Sequence, residues 1–529
     1  MPGGRLRPQD SDAYGNGLLN QIRKGLRALA PAVLKGVRRG IEKESLRVRR
    51  DGRLAATPHP AGLGSPLTHP HITTDFSESQ LEFITGAHAS VEACLEELTQ
   101  IHQVVCRHIG DEVLWCASMP CDLPSDDAIP IAQYGSSNVG RAKTVYRVGL
   151  AHRYGRRMQM ISGIHYNFSL PEAAWPALEL DANEAYFSLI RNFRRHSWLL
   201  LYLFGASPAV CRSFVEGRAH NLQELSDDTL YAPHATSLRM GPLGYQSEAQ
   251  ASLAVSYNSL ESYAASLEAA LTRPYLPYEA IGIRDGDEYR QLATSLLQIE
   301  NEFYGTIRPK RRIRGGERPL HALRERGVEY VEVRLIDLDP FSPIGIRADT
   351  IRFLDVFLLH CLLSDSGPDT PQEIEAIARN QHRVADRGRE AGLTLARRGC
   401  TVKLREWGTE VLDACQPIAE ALDAHGDSGH CDALSAAVTA LRDPGCVPSA
   451  RVLDAIEQQH DRSYARFALA QSLQHASALQ NMPLPVELES RYARMTQDAL
   501  AKQRETEAAD VLPFEAYRQH YLSPDSLKA

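Results

Sequence analysis

At 529 residues and 58.6 kDa, the chain is long enough for an extensive core and for roughly two to four domains. Its hydrophobic fraction of 43% and charged fraction of 23% are ordinary for a globular protein. A net charge of -8 with no basic tail excludes a general nucleic-acid binder.

The opening Met1-Pro2-Gly3-Gly4-Arg5 lacks the charged-then-apolar order of a secretory signal, which places the protein in the cytosol. Residues 1–32 read as an N-terminal extension. In Arg39 to Arg47, two acids stand one residue apart. If this stretch is extended, Glu42 and Glu44 project to one side about 7 Å apart, and Lys43 points away. Two anions held that way need a cation. Next, Asp75 precedes an alternating segment in which Gln80, Glu82 and Ile84 share a face; Glu82 lies between Leu81 and Phe83, a costly place for an unpaired charge.

Val91, Cys94, Leu95, Leu98, Ile101, Val104 and Val105 recur at helical spacing. Gly135 to Ala142 has the glycine spacing of a phosphate-binding loop, but Arg141-Ala142 replaces the required Lys-Ser/Thr, so no Walker motif is assigned. Met160 to Leu170 alternates, with Ile164, Tyr166, Phe168 and Leu170 opposite Gly163, His165, Asn167 and Ser169. Ser197 to Val210 is apolar but too short, and too interrupted by Gly205 and Pro208, to span a bilayer; no membrane association is expected. Arg239 and the basic run Ile307 to Arg312 are candidate anion binders, each equally readable as a salt bridge or a solvated loop.

Tyr330 to Ile336 alternates again: Val331, Val333 and Leu335 oppose Tyr330, Glu332 and Arg334. Ile351 to Cys361 is helical, and beyond Thr370 the chain reads almost wholly so, through 373–389, 402–422, 450–479 and 486–507. Strands with one apolar and one polar face, covered by helices, predict an α+β fold with a mainly antiparallel sheet. Residues 33–369 form the expected catalytic region and 370–529 a helical C-terminal part, either a subdomain or a layer of the same domain. The ten cysteines form no compact framework and read mostly as buried or free thiols. Cys116 and Cys121 lack the further ligands a zinc site needs.

Five carboxylates and one imidazole thus occupy polar faces or their borders: Glu42, Glu44, Asp75, Glu82, Glu332 and His165. At about 4 Å and an effective dielectric near 20, each like-charged pair repels by roughly 4 kcal/mol, so the cluster calls for cations. Oxygen-rich ligation favours magnesium, and the imidazole is tolerable for manganese. Arg334, two residues from Glu332 on the same face, offers a planar fork for phosphate or carboxylate.

The segments Gly40 to Arg47, Ile72 to Phe76, Gln133 to Asn138, Ile161 to Ser169, Leu203 to Ala209, Gln298 to Tyr304, and Glu332 to Arg334 continuing to Pro343 together resemble bacterial glutamate-cysteine ligase of the proteobacterial type, in order from about Leu34 to about Leu363. The resemblance implies a fold similar to glutamine synthetase, a curved antiparallel sheet forming an active-site funnel. It also implies ligation of L-glutamate to L-cysteine with ATP, through a gamma-glutamyl phosphate, as the first step of glutathione synthesis. By the same resemblance, Glu44, Asp75 and Glu82 hold one magnesium and Glu42, His165 and Glu332 another. Arg334 stabilises phosphoryl transfer and Arg239 meets the reacting carboxyl. Phe76, Tyr146, Tyr245 and Tyr304 line a cysteine pocket, with Gln159 and Asn167 as polar contacts. A monomer is expected. The alternatives are a related ligase with another amine and a metal-dependent phosphohydrolase.

Overall fold

The computed structural model describes residues 8–244, 248–251 and 253–528. In chain order, helix α1 (Pro8–Ala28) leads to strands β1 (Arg38–Val48), β2 (Ile72–Thr74) and β3 (Gln80–Ile84). Helix α2 (Val91–His108), β4 (Val113–Leu114), α3 (Asn138–Tyr154), β5 (Ile164–Ser169) and α4 (Ala182–His196) follow. Then come β6 (Ile307–Lys310), β7 (Tyr330–Ile336), α5 (Ala348–Leu363), α6 (Pro371–Arg387), the pair β8 (Thr394–Arg397) and β9 (Cys400–Lys403), and α7 (Leu404–His425).

Strands β1 to β7 form one sheet in the order β6-β7-β5-β1-β3-β2, with β4 on the far end of β1; every pairing is antiparallel. The period-2 patterns are realised directly. Ile41, Phe83, Ile164, Tyr166, Phe168, Val331 and Val333 all lie on the buried face, in a core cluster that also takes Ile22 from α1, Leu29 just after it, and Trp407 and Leu412 from α7. Helix α5 is apolar on nearly every side, as a central helix must be. Its one buried acid, Asp355, accepts from the Tyr166 hydroxyl at 2.5 Å and pairs with Arg39 at 3.0 Å, tying β5 and β1 to the helix. Lys43 does turn away from its two acid neighbours, yet it is buried rather than solvated. Its ammonium donates to Ser45 Oγ at 2.8 Å and meets His102 Nε2 at 2.9 Å, and burial pushes it down to about 8.

Three local expectations change. The alternating stretch from Met160 is a strand only from Ile164, because Arg157–Met160 winds into a 3-10 turn that buries Gln159. The helix expected over 450–479 is two helices, Pro448–Gln459 and Tyr464–Asn481, broken where Asp461 and Arg462 adopt φ of 51° and 60°. Between α6 and α7 the chain makes a hairpin through Arg398 and Gly399, at φ of 50° and 77°, the geometry of a two-residue turn matched to strand twist. Cys121 and Cys211 form a disulfide with their Cα atoms 5.3 Å apart, so the free-thiol expectation fails for this pair; the other eight cysteines are free. Cys116 donates to the Ala468 carbonyl, leaving no zinc pair with Cys121.

His69 gives the fold a pH-dependent element. Its Nδ1 accepts from the backbone N–H groups of His71 and Ile72 at 3.1 and 3.0 Å, which requires an unprotonated nitrogen. Burial, then the charge of His71, pushes its pKa from 6.5 down to about 4. The unfolded chain therefore binds this proton more tightly than the folded one, so the contribution is complete above about 6.5 and is lost as pH falls towards 4. At pH 5 the loss is about 2 kcal/mol. In urea unfolding, His69→Asn, which keeps an acceptor without titrating, is expected to flatten the pH 7 to 5 decline by that amount; an unchanged slope refutes the assignment.

Candidate active site

The face of the sheet opposite the apolar core carries the acids, because directly opposite residues of antiparallel strands share a face. Glu44 lies opposite Glu82 across β1 and β3, and Glu42 opposite His165 across β1 and β5. Asn167 lies opposite Glu332 across β5 and β7, and Glu332 opposite Arg308 across β7 and β6. Five adjacent strands thereby build one polar floor. Asp75 joins it from the turn after β2, held by its backbone N–H to the Gln80 carbonyl at 3.0 Å.

His165 sits between the two acids of β1, with Nδ1 3.3 Å from Glu42 and Nε2 3.5 Å from Glu44. Asn167 Nδ2 donates to Glu42 at 2.9 Å, and the Gly163 N–H donates to Glu44 at 2.9 Å. Ligating atoms of Glu42, Glu82 and His165 all fall within 4.8 Å of one another. That trio takes members from both metal sets drawn from the resemblance.

Electrostatics divides the floor into two ends. Glu332 is saturated with positive charge: Lys310 at 3.1 Å, Arg334 at 3.0 Å and Arg308 at 3.8 Å. Although burial raises it, Lys310, Arg334, His165 and Arg308 together hold its carboxyl well below the ordinary range. Burial and Glu332 also push Glu42 up, but the His165 hydrogen bond and Lys310 outweigh them. At the other end, burial and Asp75 push Glu44 up to about 8, and burial with Glu42, Asp75 and Glu44 raises Glu82 well above its usual range. Carboxyls that hold protons so tightly mark a deficit of positive charge. Oxygen donors supplemented by one imidazole suit a hard divalent cation, magnesium or manganese, at that end.

Arg239 comes from the short 3-10 turn Leu238–Met240, far from the sheet in sequence, yet its Nη2 donates to the Arg334 carbonyl at 2.8 Å and its Nη1 lies 3.6 Å from Asp337. Asp337 is itself held by Ser237 Oγ and the Ala206 N–H. The backbone of Gly163 passes directly beneath this guanidinium. A Cβ there would lie 2.0 Å from Nη2 and 2.5 Å from Cζ of Arg239. Gly163→Ala is therefore expected to displace Arg239 and lower kcat roughly 10²-fold; kinetics at parental rate would show that Arg239 is not required where it stands.

Phe76 is buried in a second apolar cluster, and Tyr146 and Tyr304 pack against it. Gln159 Nε2 donates to the Tyr304 hydroxyl at 3.0 Å. Phe76, Tyr146 and Tyr304 thus share one cluster, with Gln159 bonded to Tyr304; Tyr245 lies outside the described residues.

Lys143 and Arg147 of α3, which the motifs do not single out, stack on Tyr134 with their cations 5.1 and 4.6 Å from the ring centre; their i,i+4 spacing is the one signal the sequence offers. Arg308 and Lys310, readable in the sequence as ligands or as a solvated loop, stand on β6, aimed at Glu332. The rejected phosphate-loop stretch starts α3 at a Ser137 cap, and the N–H groups of Ser136 and Asn138 are already taken by Glu507 and Asp510.

The glutamate-cysteine ligase family model matches residues 26–384. The chain belongs to the glutamate-cysteine ligase family. A glutamate-cysteine ligase of Alcanivorax borkumensis is 48% identical over 521 residues, covering 96% of this chain and 99% of that protein. One from a Janthinobacterium species is 51% identical, covering 92% of this chain and 94% of its own length. The crystal structure of the Francisella tularensis glutamate-cysteine ligase in complex with AMP superposes with a TM-score of 0.88 at 36% identity, covering 92% of this chain and 97% of that one. The α+β, antiparallel-sheet expectation agrees with this family member. Similarity also runs past Leu363, where the sequence reading stopped, into the C-terminal helices.

Proposed function

We propose that the protein joins the gamma-carboxylate of L-glutamate to the amine of L-cysteine, consuming ATP and releasing ADP and phosphate, in the cytoplasm, as the first step of glutathione synthesis. The observation that carries this reading is one sheet face with a cation-deficient acidic end beside a cation-rich end. The first suits divalent metals, and the second suits a transferring phosphoryl group. Glu44, Asp75 and Glu82, with Glu42, His165 and Glu332, are assigned as ligands of more than one magnesium or manganese ion. Bound there, such ions neutralise phosphate oxygens and lower the barrier to their transfer.

The glutamate gamma-carboxylate oxygen attacks the terminal phosphoryl of ATP, the bridging bond to ADP breaks, and the acyl phosphate gains a leaving group that a carboxylate lacks. Arg334 holds the equatorial oxygens of that phosphoryl group in its fork, anchored by Glu332. Arg239, braced by Asp337 and the Arg334 carbonyl, meets the carboxyl that reacts. The cysteine amine, as free base, then adds to the acyl carbon, phosphate departs and the amine proton is released. Phe76, Tyr146 and Tyr304 exclude water and fit a thiol-sized side chain, while Gln159 fixes Tyr304.

ADP release by purified protein with magnesium and ATP is expected to rise strongly only when glutamate and cysteine are both supplied. Equal hydrolysis without cysteine would point to a phosphohydrolase, and stimulation by another amine to a different ligase.

A further inference from the structure

Two negative charges of the substrates are left without a partner by Arg334 and Arg239. Glutamate reacts through its gamma-carboxylate and cysteine through its amine, so each keeps an alpha-carboxylate. A carboxylate held in a sheltered site needs a cation and directed donors.

Helix α3 carries two cations that have no anion. Lys143 and Arg147 stand one turn apart, both half-buried and both over the Tyr134 ring. Like charges at this spacing repel, so the helix by itself gains nothing from the pair. The Arg147 guanidinium is fixed by backbone carbonyls: its Nε donates to Asp75, its Nη1 to Lys143 at 2.9 Å and its Nη2 to Thr74 at 3.5 Å. Its charge is thereby held at the turn that carries Asp75 without being neutralised. The Lys143 ammonium has the Tyr134 face and, among the described residues, neither a hydrogen-bond acceptor nor a carboxylate in contact. Burial, and then Arg147, lower it to about 8 against the pull of Glu82. Glu82 stays well above its ordinary range although Arg147 draws it down, so neither cation serves as its ion-pair partner.

Tyr146 lies between the two cations in sequence. Its ring centre is 5.9 Å from the Arg147 guanidinium, and it packs on the cluster that holds Phe76. The unpaired cations therefore border the pocket assigned to cysteine.

We propose that Lys143 and Arg147 bind the alpha-carboxylate of an amino-acid substrate, and that their place beside Tyr146 makes it the carboxylate of cysteine. The inference rests on the ligase reading. Arg147 presents the N–H groups its backbone partners leave over, and Lys143 brings a point charge on a flexible stem. An amine without a carboxylate loses both contacts, so the pair selects an amino acid over a simple amine.

Arg147 also braces the Asp75 turn, so the test uses Lys143, which has no hydrogen bond to lose. Lys143→Met is assayed with cysteine and with cysteamine, its decarboxylated counterpart, at saturating glutamate. A second arm compares glutamate with gamma-aminobutyrate, which lacks the alpha-carboxylate, at saturating cysteine. The parental preference for cysteine over cysteamine in kcat/KM is expected to fall about tenfold or more, through a higher cysteine KM, and Lys143→Arg is expected to retain it. A lysine that only tempers the charge of the acidic end would slow all four substrates together; both ratios at their parental values overturn the site. Collapse of the glutamate ratio in place of the cysteine ratio overturns the assignment to cysteine. ADP release by the parent without need of both amino acids defeats the ligase reading itself, and the inference with it, before any variant is compared.

Discussion

Glu82→Gln is expected to lower turnover by roughly 10²- to 10³-fold while leaving the metal-free fold at least as stable as the parent. The two effects have one cause. Glu82 stands opposite Glu44, shares a ligating cluster with Glu42 and His165, and is raised by burial and by three neighbouring acids. An amide keeps its shape but removes an acceptor of negative charge, so the cation loses a ligand and the empty cluster loses its repulsion. Melting in a chelator should therefore rise or hold, while the stabilisation produced by added manganese shrinks. A variant with full turnover, or one destabilised in the chelator, would remove Glu82 from the metal site.

Arg334→Lys is expected to lose roughly 10²- to 10³-fold in kcat. Through Nη1 alone the guanidinium donates to Glu332 at 3.0 Å and reaches His165 Nδ1 at 3.3 Å, and a point-charge ammonium that replaces Nη1 lacks the other donors of the planar fork. The substitution also separates chemistry from architecture, because Arg239 is anchored on the backbone carbonyl of residue 334 and not on its side chain. The loss should accordingly fall on glutamate-dependent ADP formation, with cysteine KM little changed. Parental ADP formation in this variant would end the phosphoryl role assigned to Arg334.

Much of the fold was readable because strand periodicity is a local property. The apolar sets of β5 and β7 announced the buried face, and the helices at 91–105 and 351–361 showed their stripes. What failed was equally local in cause. The 3-10 turn at 157–160 imitates alternation over a few residues, and Arg398 in a left-handed conformation gives no compositional warning of a hairpin. The balance of the site was harder to see. In the sequence only Arg334, two residues away, sets Glu332 apart from Glu44, yet Lys310 and Arg308 of a neighbouring strand also surround Glu332 while Glu44 faces Asp75 and Glu82.

The sequence alone determined which residues share a face, since side-chain direction follows from a period of two, and therefore that Glu42 and Glu44 lie side by side and Lys43 behind them. It also carried the family, through motifs in order along the chain. Only the tertiary structure decided which strands are neighbours. That register sets Glu44 against Glu82 and Glu42 against His165, brings Arg239 from a distant turn onto Arg334, and buries Lys43 against His102. Pairing between strands joins chain segments that lie from tens of residues to more than a hundred apart, and Coulomb energy depends on the distances that pairing creates. The charge state of the floor is for that reason a property of the folded sheet.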